Sequence, residues 1–398
     1  MENIKRLVCI PLAYQIVVDD VGWFNGWDDR CSDGPSRTGM PRKHVAEDYI
    51  ALNELGKKIN MKINCPLVLG EWDKDNLLRG MKHATNDENG WDMASQIDMD
   101  IAEKCFEAAE NSEYIEYAYH GVMHGYWTDG RHVADKEFYI PDDDGCKTRY
   151  SDNLIPVSEE YFESHLETFF KIYESWGFKK KIRSFTSPGG VHGSVNDNLK
   201  FADILRKNNI IYWADMWNEI REMSCVLNGV IYLNNSREAL SIPWNAYDVD
   251  PAILPDYDKT LFDGEAAEER TVYPAHWPNF LRYNPMENLE KIDAWAKYFK
   301  RQGEVFGVML SRDIAFAGSQ ALYCKYTKVT YGENKVILDF SDVDDKNAIG
   351  KTDTMYISIR GGLLPKECVG GRISQYETHN CFKTYKIERL GKTVEILF

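Results

Sequence analysis

The chain has 398 residues and a formal net charge of −16, with 63 acidic side chains against 47 basic ones. At about 100–200 residues per domain, this length suits one large domain with a smaller one and leaves room for a sizeable buried core. The acidic balance argues against a protein that tracks nucleic-acid phosphates or docks on anionic lipid, because both partners select basic surfaces. We therefore expect no nucleic-acid partner.

The first apolar run, residues 7–18, is interrupted by Pro11 and Gln15 and ends in two aspartates. It is too short for a spanning helix and lacks a signal-peptide cleavage region, so we expect a buried strand and no membrane insertion. The nine cysteines are scattered, without a Cys-x-x-Cys pair. This usage is typical of reduced thiols rather than a cysteine zinc site, and it predicts a cytoplasmic protein.

Strand-like and helical patterns alternate along the first 318 residues. Apolar runs predict strands at 7–18, 63–69, 114–119, 182–186, 210–216 and 305–310. Helical spacing and capping residues predict helices at 42–58, 97–110, 159–176 after Ser158, 196–207 after Ser194, and 285–301. This alternation is typical of a parallel sheet or a βα barrel, whose chemistry lies at the carboxyl ends of the strands.

The last part of the sequence has a different pattern. No convincing helix is visible from residue 320 onward, and short alternating runs lie between glycine and aspartate clusters. We therefore predict an α/β fold with two domains, a βα barrel over residues 1–318 and a small all-β domain over 319–398.

Two adjacent aspartates, Asp19 and Asp20, close the first predicted strand. Side chains alternate faces along a regular strand, so the pair can share a site only where the strand breaks. Like charges in one site take different pKa values, and one carboxylate could then hold a metal while the other moves a proton. The competing interpretation is a loop start or a helix cap, both frequent uses of aspartate.

His120 and His124 follow the predicted strand at 114–119. Histidines four apart face the same way when the segment turns helically, a spacing that lets two imidazoles reach one ion. With Asp20 at another strand end, they form an Asp/His/His set suited to Zn²⁺ with open positions for water. Two unrelated loop histidines are the alternative interpretation.

The order of motifs resembles that of the polysaccharide deacetylases, a carbohydrate esterase family. It runs from Asp-Asp through His-x-x-x-His, a strand ending in Pro-Gly and a Trp/Asp strand end to a late histidine, over residues 7–312. The resemblance implies a distorted (β/α) barrel that uses a divalent metal to remove N- or O-acyl groups from sugars. It also implies site roles: general base, Asp19; metal ligands, Asp20, His120 and His124; general acid, His276; a further catalytic residue, Asp215.

This sequence departs from the family pattern at two motifs, and Asp215 matches the fourth motif only approximately. The third motif usually carries an arginine two places before its proline, and Thr186 stands there. Arg183, three residues upstream, would point to the other face of a strand and cannot substitute. The first motif has Val21-Gly22 where the family has glycine directly after the aspartates. These differences indicate a divergent branch.

Aromatic residues cluster beside these motifs. Their faces stack well on the C–H faces of sugar rings, so they favour a carbohydrate cleft, while loop anchoring is the competing interpretation for any one of them. The predicted substrate-binding residues are Trp23, Tyr126, Trp127, Pro188, Gly189, Trp217 and Trp277. His165, inside a predicted helix, is expected at the surface or the edge of the core.

The sequence thus predicts a metal-dependent hydrolase that removes an acyl group from a sugar of a surface polysaccharide or its precursor. Its expected partner is a carbohydrate substrate, and the pattern leaves a homo-oligomer open. One alternative is a metal-independent glycoside hydrolase that uses Asp19 and Asp215 across a cleft. A second is a non-catalytic glycan-binding protein, which the missing motif arginine favours.

Overall fold

The computed structural model describes residues 2–22, 38, 40–134, 136–141, 154–215, 225–234, 242–243, 245–254 and 271–398. Its α-helices are α1 (Glu2–Lys5), α2 (Ala46–Ile59), α3 (Met99–Glu110), α4 (Glu159–Trp176), α5 (Val195–Lys207), α6 (Asn288–Gly303), α7 (Ile314–Tyr326) and α8 (Ser341–Asp345). None of the helices described here combines the length and apolar character needed to cross a membrane.

The strands fall into a first group and a C-terminal group. The first group comprises β1 (Val8–Cys9), β2 (Leu12–Asp19), β3 (Ile63–Leu67), β4 (Ile115–Tyr119), β5 (Tyr126–Thr128), β6 (Arg131–Ala134), β7 (Tyr139–Pro141), β8 (Leu154–Pro156), β9 (Ser184–Phe185), β10 (Tyr212–Asp215), β11 (Val226–Leu227), β12 (Val230–Asn234), β13 (Val272–His276) and β14 (Val308–Leu310). The C-terminal group comprises β15 (Lys328–Tyr331), β16 (Lys335–Asp339), β17 (Thr354–Arg360), β18 (Glu367–Val369), β19 (Gly371–Thr378), β20 (Phe382–Arg389) and β21 (Thr393–Leu397).

The largest sheet has the strand order β11-β12-β10-β9-β4-β3-β2-β13, and β14 also pairs with β2. From β12 to β13 every neighbouring pair is parallel, which confirms the predicted α/β class and parallel sheet. Within the described ranges no pairing joins β12 to β13, so closure into a barrel is not shown.

Local signals placed both ends of α4 and the start of α5, whereas α2 and α6 begin later than predicted. The Ser158 side chain accepts a hydrogen bond from Tyr161 N at the start of α4, and Gly177 ends that helix with a φ of 80°. Ser194 and Asp197 form a reciprocal capping box at the start of α5. Both features depend on residues within one turn of the helix end, which is why the sequence alone reveals them.

The first predicted strand is in fact two strands. Proline has no N–H for a ladder, and the run breaks before Pro11 into β1 and β2. Strand β1 pairs with β17 and so joins the C-terminal sheet β1-β17-β20-β19, whereas β2 lies in the parallel sheet. The N-terminal segment therefore ties the two groups of strands together.

Helix α7 corrects the prediction that no helix lies beyond residue 320. Buried residues cover several sides of this helix, so it lacks the amphipathic period by which a helix is recognised. Its Gln320 side chain donates to the carbonyl oxygens of Pro11 and Tyr356. The short helix α8 also lies beyond residue 320. Because α7 runs across position 318, the division there stays a prediction.

Candidate metal centre

The parallel register brings the predicted site residues to one edge of the sheet. His276 pairs with Asp19 across β13 and β2, and Tyr119 pairs with both Leu67 and Phe185. The residues after these positions therefore leave the sheet at the same level. Neighbouring parallel strands end together at their carboxyl ends, so Asp20 and His120 meet although 100 positions separate them in the sequence.

Three candidate ligands meet at this edge. His120 Nε2 lies 3.5 Å and His124 Nε2 lies 3.4 Å from Asp20 Oδ1, and the three ligand atoms lie within 4.8 Å of one another. Asp20 and His120 are buried, and His124 is half-buried. Asp20 has a φ of 65°, a left-handed conformation that aspartate tolerates and that turns it out of the regular alternation of β2.

The donor set fits a divalent metal such as zinc. Two ligands of a tetrahedral ion, with bonds of about 2.0–2.1 Å, lie about 3.4 Å apart, as the two histidine nitrogens do from Asp20 Oδ1. Asp20 Oδ1 and His120 Nε2 are buried and make no hydrogen bond of normal geometry with the described residues. His120 Nδ1 lies 2.8 Å from the Thr186 carbonyl oxygen, so a neutral ring keeps its proton there and offers Nε2 as ligand.

The charges of the three donors are coupled. Burial alone would raise the pKa of Asp20, but His124, His120 and His276 together hold it below its ordinary value. Burial opposes charge on His120, yet Asp20 and Asp19 raise its pKa to about 9. A cation would displace the proton from Nε2, so metal affinity is expected to fall in acid.

Asp19 lies beside the three donors with a different protonation behaviour. Burial raises its pKa to about 7, assisted by the negative charges of Asp20 and Asp215 and opposed by His120. Asp215 is itself held by Ser187 N at 2.6 Å and by Trp213 Nε1 at 3.3 Å from its Oδ2. The adjacent aspartates thus divide into one carboxylate that stays ionised and one poised to exchange a proton near neutral pH.

His276 approaches the same centre from β13. Its Nε2 lies 4.0 Å from Asp20 Oδ2, and its side chain is 33% exposed. Burial lowers its pKa, against the opposing influence of Asp20. The backbone N–H of His276 donates to Asn279 Oδ1, which holds the start of the following turn. The structure therefore groups the predicted base, acid and metal ligands around one point.

The turn after His276 rests on a buried polar network. Trp277 is fully buried and stacks on the His44 ring, with ring centroids 3.8 Å apart. His44 Nδ1 lies 3.0 Å from Asp48 Oδ2, and Arg42 bonds to both oxygens of Asp48 at 2.7 and 2.8 Å. These contacts join a loop to the first turn of α2.

Thr186, which stands where the deacetylase motif has an arginine, contacts the site through its backbone. Thr186 is buried, and its carbonyl oxygen is the partner of His120 Nδ1. Arg183 is exposed and lies over the Tyr212 ring, 5.4 Å from its centroid. It therefore does not replace the arginine, as its place in the strand predicted.

The predicted substrate-binding residues divide into three groups. Trp23 and Trp217 lie outside the described residues. Trp127 and Trp277 are buried, and their place in a cleft stays a prediction. Tyr126 is half-buried against His83, whereas Pro188 is buried and Gly189 is exposed.

Sequence reasoning missed two buried groups that lie near residues 120–124. Glu137 is fully buried and accepts hydrogen bonds from the backbone of Val122, Met123 and His124. His165 bonds to the same carboxylate and is also fully buried, which corrects its predicted position at the surface or the edge of the core. Their contact follows from no local sequence pattern, because Glu137 and His165 lie 28 positions apart.

Comparisons with known proteins give distant likenesses. No protein-family model matches the chain, and no curated protein matches its sequence. A family 4 carbohydrate esterase from Streptomyces lividans, in complex with acetate, is 9% identical, with a TM-score of 0.31 over 75% of this chain and 92% of that one. A protein assigned as a glycoside hydrolase/deacetylase, from Parabacteroides distasonis, is 11% identical, with a TM-score of 0.42 over 94% and 84%. A GH57-type branching enzyme from Pyrococcus horikoshii is 12% identical, with a TM-score of 0.39 over 76% and 69%. Because each of these TM-scores is below 0.5, we infer the chemistry from the geometry of the site itself.

Proposed function

We propose that the chain is a metal-dependent hydrolase that removes an acyl group from an amide or ester of a sugar. The observation that carries this proposal is the meeting of Asp20, His120 and His124 with Asp19 and His276 at one edge of the sheet. A metal set with a proton acceptor on one side and a donor on the other is what acyl hydrolysis requires.

Each group of this chain has a proposed task. A divalent cation held by Asp20, His120 and His124 would lower the pKa of water and polarise an acyl carbonyl. Asp19, with its pKa near 7, accepts the proton of the attacking water. His276, whose Nε2 lies 4.0 Å from Asp20 Oδ2, protonates the leaving nitrogen or oxygen from its imidazolium form.

The sugar part of the proposal has a different support. The order of motifs resembles the polysaccharide deacetylases, and a sugar of a surface polysaccharide or its precursor is the substrate that this resemblance implies. Gly189 offers exposed backbone three residues after Thr186, whose carbonyl oxygen contacts His120. We infer the hydrolysis of an acyl group from the site, and we infer the sugar from the order of motifs.

Metal analysis of the purified protein tests the proposal. Asp20→Asn and His124→Asn are the appropriate variants, because both positions have a positive φ that asparagine tolerates better than alanine. His379→Asn, in the C-terminal region, is the matched control. We expect near-stoichiometric zinc in the wild type and in the control, and strongly reduced zinc in the two site variants.

Acyl release completes the test. Acetate or formate release from amino-sugar conjugates is expected to stop on chelation and to return when Zn²⁺ is added. Full activity without metal would favour the glycoside hydrolase alternative. Sugar binding by metal-loaded protein without acyl release would favour the glycan-binding alternative.

A further inference from the structure

We infer that Glu137 is the positioning residue of the metal loop, which we define as residues 120–124. This inference rests on the proposed function, because it concerns how the two histidine ligands of that site are aimed. It assigns a role to a residue that touches neither substrate nor cation.

The carboxylate of Glu137 lies in a ring of backbone donors. Val122 N donates to both of its oxygens, at 2.9 and 3.0 Å, and Met123 N and His124 N donate to Oε2 at 2.9 and 2.7 Å. Three consecutive N–H groups that converge on one anion form a nest, a backbone arrangement that requires negative charge at its centre. The metal loop is thus folded around this carboxylate.

The loop conformation depends on the same contact. Gly121 has a φ of 80° and His124 a φ of 56°, so two residues of the metal loop adopt the left-handed conformation. A Cβ added at Gly121 would lie 2.7 Å from Glu137 Cδ, well inside van der Waals contact. Only glycine allows the carboxylate to approach this closely, and the approach bends the chain so that both imidazoles face Asp20.

Glu137 is itself firmly held. His165 Nδ1 lies 2.6 Å from Glu137 Oε1, and the His165 ring stacks on Tyr161 at a centroid distance of 4.0 Å. An ionised carboxylate only accepts hydrogen bonds, so His165 must donate from Nδ1. The neighbouring Phe138 packs against Phe162 of α4, with centroids 4.7 Å apart. Helix α4 therefore supports the carboxylate from below the metal loop.

The two ligands consequently have separate anchors. His120 is oriented by the Thr186 carbonyl oxygen through its ring, and His124 is oriented by Glu137 through its backbone. Groups that orient metal ligands typically contribute about 10- to 100-fold to metal affinity. Loss of the Glu137 charge should leave His120 in place and free the backbone of His124. The affinity for the metal should then fall although no ligand has been removed.

Glu137→Gln is the decisive variant because it retains size and removes the charge. Its amide would place N–H donors against backbone N–H donors, so part of the nest must open. We expect the affinity for Co²⁺, measured by calorimetry, to fall about 10- to 100-fold, with a change in the visible absorption bands of the bound ion. Hydrogen exchange of the amides of residues 122–124 should accelerate in the metal-free protein.

Two further comparisons separate positioning from general stability. Val394→Ala removes buried apolar volume in β21, far along the chain, and should lower the melting temperature without changing Co²⁺ affinity or exchange in the metal loop. His165→Asn can keep a donor near the Nδ1 position, whereas His165→Leu removes it. The asparagine variant should therefore bind Co²⁺ more tightly than the leucine variant.

Unchanged Co²⁺ affinity and unchanged exchange in folded Glu137→Gln would overturn the inference. Should Glu137→Gln not fold, the His165 pair decides: weaker binding in the leucine variant alone supports the inference, and equal binding refutes it. A wild type that binds no Co²⁺ defeats the proposed function. In that case, faster hydrogen exchange of residues 122–124 in Glu137→Gln still supports the anchoring of the metal loop by Glu137. Unchanged exchange there would refute this anchoring too.

Discussion

Replacement of Gly121 by alanine should destabilise the protein far more than the same change at another glycine with the same backbone angle. Gly121 and Gly177 both have a φ of 80°. A Cβ at Gly177 would meet no atom within 4 Å, whereas one at Gly121 would meet the carboxylate of Glu137. The pair therefore separates backbone strain from the crowding of a buried charge.

The two costs can be worked out from this geometry. An L-residue in the left-handed region costs about 1–2 kcal/mol, and this is the whole expected effect for Gly177→Ala. At Gly121 the carboxylate must also withdraw from at least one N–H donor, and a hydrogen bond to a charged group is worth about 1.5–3 kcal/mol. The sum for Gly121→Ala is about 2.5–5 kcal/mol.

Urea unfolding followed by circular dichroism measures both free energies of unfolding directly. The difference between the variants, about 1.5–3 kcal/mol, is the quantity of interest. Equal destabilisation of the two variants would contradict this expectation, because it would mean that Glu137 does not occupy the space beside Gly121. Co²⁺ affinity should fall in Gly121→Ala and stay unchanged in Gly177→Ala.

Three other changes have defined expectations. Asp48→Asn breaks a buried ion pair and should lower the free energy of unfolding by about 3 kcal/mol, the low end for such pairs because Arg42 can still reach water. Burial works against charge on His379, but neighbouring glutamates including Glu377 raise its pKa, so a proton-NMR titration should place it above about 6.5. The attraction between His379 and these glutamates therefore stabilises the fold fully below the unfolded-state pKa of His379. This stabilisation is lost as the pH rises through the folded-state pKa. Asp19→Asn should reduce kcat for acyl release by about 10²–10⁴-fold while zinc content remains unchanged.

Each expectation has a result that contradicts it. For Asp48→Asn, a loss below about 1 kcal/mol would place the pair among weak surface ion pairs. For His379, an apparent pKa that Glu377→Gln does not lower would show that the glutamate is not the cause. For Asp19→Asn, loss of zinc together with activity would make Asp19 a ligand rather than the base.

Much of the fold was predictable because its signals are local. The strands at 63–67, 115–119 and 212–215 lie within the predicted apolar runs, and Ser158 and Gly177 bound α4 as their chemistry requires. Helix α7 was missed beyond residue 320 for the opposite reason. It is covered on several sides, by the parallel sheet and by the C-terminal strands, so its sequence has no polar face to reveal its period.

Four of the predictions made from the sequence are not decided by the contacts of the described residues. The cytoplasmic location, the homo-oligomer, the choice of zinc and the domain division at residue 318 stay predictions.

Local patterns in the sequence are enough to predict which residues could do chemistry. Aspartate pairs and histidines four apart at strand ends are local patterns, and their order along the chain located Asp20, His120, His124 and His276. The tertiary structure alone decided what holds them. Glu137 reaches the metal loop after a hairpin, and His165 reaches Glu137 from a helix, so no sequence spacing encodes either contact. The two histidine ligands follow the spacing of their own segment. The groups that hold them come from distant segments, wherever packing brings a charge beside backbone N–H donors.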